Sequence, residues 1–138
     1  MGARVLIVDD EPDVATYLAT VLRAHGHRPE VAGSVEEGFT RLDEALPDLI
    51  CLDIMMPKES GISMYMRLKR ESRTRSIPVL VISGVATAGQ FDFRAYLPDE
   101  SIPPPEQFLE KPVAVEEFVT AVARLAVPRS PSPEAEEP

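Results

Sequence analysis

Several residues with reactive side chains lie at or directly after the end of a short apolar run. They are Asp9, Asp10, Asp53, Ser83 and Lys111. Short apolar runs without polar alternation are typical of strands buried on both faces of a parallel sheet. Because the carboxyl ends of parallel strands meet at one edge of the sheet, we expect these side chains to lie close together there.

Three carboxylates crowded at one edge would repel one another. Each pair costs about 1 kcal/mol at 4 Å in bulk water and about 4 kcal/mol at an effective dielectric near 20. A cation is therefore expected, and Mg²⁺ fits better than zinc or calcium because the donors are hard carboxylate oxygens without nearby thiolates or imidazoles. A metal beside a lysine and a hydroxyl is suited to phosphoryl transfer, with Asp53 as the nucleophile.

The elements that must position these residues alternate between strand and helix five times, which predicts a three-layer α/β sandwich around a parallel sheet. Strands are predicted at residues 4–8, 28–32, 49–52, 77–82 and 108–110. Helices are predicted to begin at Pro12, after the capping box that Ser34 forms with Glu37, near Gly61 and at Val115.

Residue spacing also indicates which faces of the helices are apolar or basic. The apolar pattern of the first helix comprises Val14, Tyr17, Leu18, Val21 and Leu22. The buried stripe of the second helix is predicted to comprise Val35, Phe39, Leu42 and Leu46. A basic outer face of the third helix is predicted from Arg67, Lys69, Arg70 and Arg73. We interpret this basic face as solvated, with a docking surface for an acidic partner as the alternative.

Composition limits the class of protein. The chain has 138 residues and a formal charge of −9, which disfavours direct binding to nucleic acid. Its one cysteine, Cys51, lies in an apolar run and is interpreted as a small buried hydrophobe. The sequence has no signal-peptide pattern and no apolar run near the roughly 20 residues of a membrane span. We expect a soluble, cytoplasmic protein without membrane insertion.

With its motifs in this order, the chain resembles a response-regulator receiver domain of bacterial two-component signalling, a member of the CheY-like superfamily. The resemblance covers about residues 4–125 and depends on four motifs: the acid pair Asp9-Asp10, the D-x-x-M-P-x-x-x-G pattern from Asp53 to Gly61, Ser83, and the Lys111-Pro112 dipeptide. It implies the flavodoxin-like strand order 2-1-3-4-5.

The resemblance also implies a role for individual residues. Asp53 would be the phosphoacceptor. The implied Mg²⁺ ligands are Asp9, Asp10, Asp53 and the backbone carbonyl of Met55. Residues implied in phosphate binding and switching are Ser83, Lys111 and the aromatic Phe108. The peptide bond between Lys111 and Pro112 is expected to be cis.

The sequence departs from the family pattern between Ser83 and Lys111. This connection carries several more residues than is usual, and IPPPEQ replaces the family's glycine-alanine pair before the fifth strand. We therefore predict that the fourth helix is short, displaced or absent. Met55 and Val85 are apolar where relatives often place groups that orient the hydrolytic water, so we predict slow self-dephosphorylation.

The resemblance implies a phosphorelay receiver. It would take a phosphoryl group from a sensor histidine kinase or phosphotransfer protein and signal by protein contact to an unidentified downstream partner. It would not be an enzyme beyond its own phosphorylation and dephosphorylation. The receiver domain is predicted at residues 1–127 and a disordered Pro/Ser/Glu-rich tail or linker at residues 128–138. A stand-alone protein and part of a longer protein both satisfy this organisation.

Three alternatives remain open. A receiver-like interaction module could work without phosphorylation. A Mg²⁺-dependent aspartyl-phosphate phosphatase is less favoured, because Met55 occupies the place of the general acid that such an enzyme needs. A binding module could instead use the proline-rich segment Pro98–Pro105 as its recognition surface.

Overall fold

The computed structural model describes residues 2–54, 61–84 and 102–127 of the chain. Its five strands are parallel and form one sheet with the order β2-β1-β3-β4-β5. The strands are β1 (Arg4–Val8), β2 (Arg28–Ala32), β3 (Leu49–Asp53), β4 (Val79–Ser83) and β5 (Gln107–Glu110). The described helices are α1 (Pro12–Ala24), α2 (Val35–Glu44), α3 (Gly61–Arg70) and α4 (Val115–Leu125). The predicted flavodoxin-like order is therefore confirmed.

Two apolar cores lie on opposite faces of the sheet. One packs Leu6 and Leu52 against α2 and α3. The other packs Ile7 and Cys51 against α1 and α4. Both sides of the central strands are thus covered, which explains why their sequences lack polar alternation. Burial raises the pKa of the Cys51 thiol, in keeping with a packing role.

The helix ends follow local sequence signals. Pro12 opens α1. At its other end Gly26 adopts φ 85°, and two backbone hydrogen bonds, from Gly26 N to Arg23 O and from His27 N to Leu22 O, close the helix. Before α2, the Ser34 hydroxyl accepts a hydrogen bond from Glu37 N, so the predicted serine cap is present.

Three sequence expectations about individual side chains are wrong. Leu46 lies beyond the end of α2 and is 37% exposed, so it does not extend the buried stripe. Tyr17, part of the apolar pattern of α1, is 44% exposed. Lys69 is buried, and its Nζ atom donates to the carbonyls of Arg75 and Ile77 at 3.1 and 2.9 Å. These carbonyls give the ammonium group acceptors that solvent would otherwise supply.

The segment that replaces the family's glycine-alanine pair is packed onto the domain. Ile102 is buried in the core beneath α2 and α3, and the Tyr65 hydroxyl donates to Pro103 O at 2.6 Å. The Glu106 carboxylate accepts from Val79 N at 2.8 Å, and Glu106 N donates to Val79 O at 3.2 Å. Residues 102–106 therefore lead β5 into the sheet edge. The predicted fourth helix falls within residues 85–101, outside the described residues.

Candidate functional site

Three carboxylates meet at the carboxyl edge of the sheet. Asp9 follows β1 and Asp53 ends β3, and these two strands are neighbours. Asp10 adds a third carboxylate, and one oxygen of each of the three lies within 4.8 Å of the others. Asp9 and Asp53 are each only 3% exposed. The edge therefore concentrates negative charge with little water to screen it.

Lys111 supplies the positive charge of this cluster. Its Nζ atom lies 3.1 Å from Asp9 Oδ2, 3.3 Å from Asp53 Oδ2 and 2.6 Å from Glu11 Oε1. Burial alone would lower the pKa of Lys111, but the Glu11 hydrogen bond and the charges of Asp53 and Asp9 outweigh burial and raise it above the usual lysine value. The ammonium group is thus held in its charged form.

The backbone holds Lys111 directly after β5. Lys111 N donates to Ser83 O at 2.9 Å, which continues the β4–β5 pairing one residue past the end of β5. The peptide bond to Pro112 is cis. The side chain of Lys111 can reach Asp53 because β4 alone separates β5 from β3 in the sheet.

Glu11 makes a contact in this cluster that the sequence did not predict. Its N–H donates to Asp9 Oδ1 at 2.9 Å, which turns the chain from β1 into α1. The turn brings the Glu11 side chain to Lys111, 100 residues away in the chain. A third acid two residues after Asp9 was the available signal, although nothing in its spacing indicates that it meets Lys111.

Ser83 lies on β4, next to the strand of Asp53, and Phe108 lies on β5, one strand further out. Ser83 ends β4 and is fully buried, and in the β3–β4 register its neighbour Ile82 pairs with Asp53. Phe108 of β5 pairs with Val81 of β4 and packs, partly buried, against the core beneath α2 and α3. Ser83 is thus at the same edge of the sheet as the acids. Phe108 lies below this edge, because it pairs with Val81, two residues before Ser83.

Gly61 explains the last position of the D-x-x-M-P-x-x-x-G pattern. Gly61 N donates to Ile54 O at 3.2 Å, so the start of α3 lies against the end of β3. A Cβ atom at this position would lie 2.3 Å from the backbone oxygen of Asp53 and 2.5 Å from Ile54 Cα. Only glycine allows this close approach. Met55, the expected source of a metal-binding carbonyl, lies outside the described residues.

A family model for the response regulator receiver domain matches residues 5–123 of the chain. The chain belongs to this family. The resemblance inferred from its motifs is therefore confirmed, and the protein carries a receiver domain of two-component signal transduction.

Curated relatives of this receiver are longer regulators. The phosphate regulon transcriptional regulatory protein PhoB of Escherichia coli is 41% identical over 83 residues, which make up 60% of this chain and 36% of PhoB. The DNA-binding dual master transcriptional regulator RpaA of Synechocystis is 33% identical over 122 residues, 88% of this chain and 48% of RpaA. The receiver thus spans between about a third and a half of these relatives.

Solved structures agree with the fold of the receiver. The signal receiver domain of a signal transduction histidine kinase from Syntrophus aciditrophicus superposes with a TM-score of 0.79 and 26% identity, covering 95% of this chain and 96% of that one. Among the described residues of the receiver, no helix is long and apolar enough to cross a membrane.

The acidic edge of the receiver has the chemistry of a Mg²⁺ site. Asp9, Asp10 and Asp53 offer hard carboxylate oxygens close enough together to share one ion. With Glu11 included, four carboxylates share this edge with one ammonium group, which leaves three negative charges to be balanced. The residues present therefore fit a divalent cation, which these three aspartates would hold.

Proposed function

We propose that this receiver accepts a phosphoryl group on Asp53 from a sensor histidine kinase or a phosphotransfer protein, with Mg²⁺ bound at the acidic edge. The observation that carries the proposal is the setting of Asp53. Its carboxylate is 3% exposed, lies 3.3 Å from Lys111 Nζ and shares the edge with two further carboxylates.

The proposed reaction is a direct phosphoryl transfer. An Asp53 carboxylate oxygen attacks the phosphorus of a phosphohistidine, the P–N bond breaks, and the product is an acyl phosphate on Asp53 with imidazole released. When bound, Mg²⁺ would neutralise charge on the phosphoryl oxygens. Lys111 donates to one of these oxygens, and the Ser83 hydroxyl is assigned to another.

A phosphodonor protein has an apolar surface available beside Lys111. A groove of about 540 Å³ runs from Lys111 along the first turns of α1. Its apolar lining comprises Val14, Tyr17, Leu18, Pro112 and Val113. The exposure of Tyr17, which its place in the apolar pattern did not predict, is explained if a partner covers this ring. We assign this groove to the donor.

Intact mass measurement tests the proposal. The chain is incubated with phosphoramidate and Mg²⁺ as wild type, as Asp53→Ala and, as a matched control, as Asp13→Asn, which removes an exposed acid from the first turn of α1. We expect one added phosphoryl group in the wild type and in Asp13→Asn and none in Asp53→Ala. No addition to a folded wild-type chain would contradict the proposal and favour the interaction module that works without phosphorylation.

The remaining parts of the proposal follow from the receiver assignment. We propose that the signal passes to its downstream partner by protein contact. Phosphatase activity remains the less favoured alternative, because Met55 cannot act as the general acid. Met55 lies outside the described residues. Slow self-dephosphorylation, the tail at residues 128–138, recognition through Pro98–Pro105 and a cytoplasmic location stay predictions.

A further inference from the structure

Glu11 makes the shortest of the three ion pairs that the described residues form with Lys111, and the proposed phosphorylation chemistry gives it no role. Its Oε1 atom accepts from Lys111 Nζ at 2.6 Å, compared with 3.1 Å for Asp9 and 3.3 Å for Asp53. Its side chain is 57% exposed, whereas those of Asp9 and Asp53 are 3% exposed. One of the three acids that hold Lys111 therefore stands in solvent.

The ammonium group of Lys111 is already surrounded by acceptors in this arrangement. A lysine carries three N–H donors, and here Nζ donates to Glu11 and Asp53 and forms an ion pair with Asp9. A phosphoryl group on Asp53 adds new anionic oxygens near the same donors. These oxygens therefore compete for Lys111 with the carboxylates that it now contacts.

Glu11 is the partner that costs least to release. Asp9 is buried, and its second oxygen is held by Glu11 N at 2.9 Å, so its carboxylate has little freedom to turn away. Asp53 is the residue that carries the phosphoryl group. The Glu11 side chain can rotate into water, regain rotamer freedom and be solvated. Its backbone, held by Asp9, need not move.

We propose that Glu11 is a releasable latch on Lys111, which holds the ammonium group in the unphosphorylated receiver and competes with the incoming phosphoryl group for it. Glu11 is in this sense a positioning residue that acts through Lys111. The inference rests on the proposed phosphorylation of Asp53. It predicts that the wild-type chain is phosphorylated more slowly than a chain in which Glu11 no longer holds Lys111.

The test compares rate constants for phosphorylation by phosphoramidate at saturating Mg²⁺. Glu11→Gln keeps the shape but removes the charge, and Glu11→Ala removes the contact altogether. Half-exposed ion pairs are weak, so we expect Glu11→Gln to react roughly 2- to 5-fold faster than wild type, with Glu11→Ala at least as fast. A gain in rate is informative because damage to the fold would lower the rate.

Asp13→Asn is the matched control for general repulsion of the anionic donor. It removes the same charge two residues further along, where the described residues show no contact with Lys111. We expect its rate to match wild type. Equal or slower reaction of both Glu11 variants, or equal acceleration by Asp13→Asn, would overturn the latch while leaving the proposed function intact. A folded wild-type chain that gains no phosphoryl group would instead remove the proposed function, and the latch with it.

Discussion

At the scale of single residues, the acidic edge of this receiver suits the proposed binding of Mg²⁺ at the expense of the stability of the fold. Asp9 and Asp53 share Lys111 as a counterion, whereas the described residues offer no hydrogen bond or ion pair to the side chain of Asp10. Asp10 therefore adds repulsion to a cluster that already carries excess negative charge. Such a residue is in keeping with the proposed Mg²⁺ site, in which Asp10 would bind the cation.

Asp10→Asn is expected to stabilise the chain when divalent cations are absent. Removing one of several crowded carboxylates should raise the free energy of unfolding by about 1 kcal/mol, because that much repulsion acts between charges a few ångströms apart even in water. Chemical denaturation in EDTA measures this change. Added Mg²⁺ should then stabilise the wild type more than the variant, since at a given concentration a ligand stabilises the folded state more the more tightly it binds that state.

Asp13→Asn again provides the control, because it removes an acid from the first turn of α1 and should lower stability by a few tenths of a kcal/mol. The two substitutions make the same change in charge and are expected to differ in sign. A less stable Asp10→Asn chain in EDTA would mean that Asp10 supports the fold.

At the scale of elements, the site depends on how the chain leaves β3 and returns as α3. The return is tight, because Gly61 contacts the backbone of Asp53 and Ile54. It also connects to β5, since Tyr65 on α3 holds Pro103 shortly before that strand begins. The same helix thus contacts the strand of the proposed phosphoacceptor at its start and the segment leading to Lys111 further along.

Gly61→Ala is expected to disturb both stability and chemistry. The added Cβ atom meets backbone at 2.3 Å, so the strand end or the start of α3 must shift. We expect a loss of about 1–3 kcal/mol in the free energy of unfolding. Because the shift falls on the backbone of Asp53, phosphorylation by phosphoramidate should slow as well. Denaturation and intact mass measure the two effects.

Gly33→Ala is the matched substitution. A Cβ atom there would lie 3.6 Å from Glu37 Oε1, an ordinary contact at an exposed position, so both properties should stay close to wild type. If Gly61→Ala were as stable and as reactive as Gly33→Ala, the close return of α3 onto β3 would not be required.

At the scale of the whole molecule, the start of the sheet is tied to the connection between α1 and β2 through an imidazole. Ala3 N donates to His27 Nδ1 at 3.1 Å, so this nitrogen must be unprotonated for the contact to exist. Burial first, and then the nearby positive groups, lower the pKa of His27. The folded chain therefore resists protonation at this position more than the unfolded chain does.

The sign of the pH dependence follows. Stability that depends on neutral His27 is fully present above the unfolded histidine pKa, about 6.5, and is lost as the pH falls below that value toward the lower folded pKa. Wild type should therefore lose more stability than His27→Gln between pH 7 and pH 5. Chemical denaturation across this range provides the comparison, and parallel profiles for the two chains would show that His27 does not contribute.

The sequence alone predicted the elements and the reactive edge of this receiver, for reasons that are local. Apolar runs, Pro12, Gly26 and the Ser34 cap determine where strands and helices begin and end, and these signals act over a few residues. Strand ends in a parallel sheet share one edge, so the positions of Asp9, Asp53 and Lys111 followed once the strands were identified. The order of the strands came from the family resemblance, because pairing between distant segments has no local signal.

Only the tertiary structure decided which side chains meet. Glu11 reaches Lys111, and Lys69 is buried against two carbonyls beyond its helix, although each reads in the sequence as a surface charge. Ile102 enters a core that its proline-rich surroundings did not predict. Such contacts depend on distances between segments far apart in the chain, and residue type and spacing do not encode those distances. The sequence thus predicts a phosphoacceptor site, whereas the tertiary structure determines how Lys111 is held beside it.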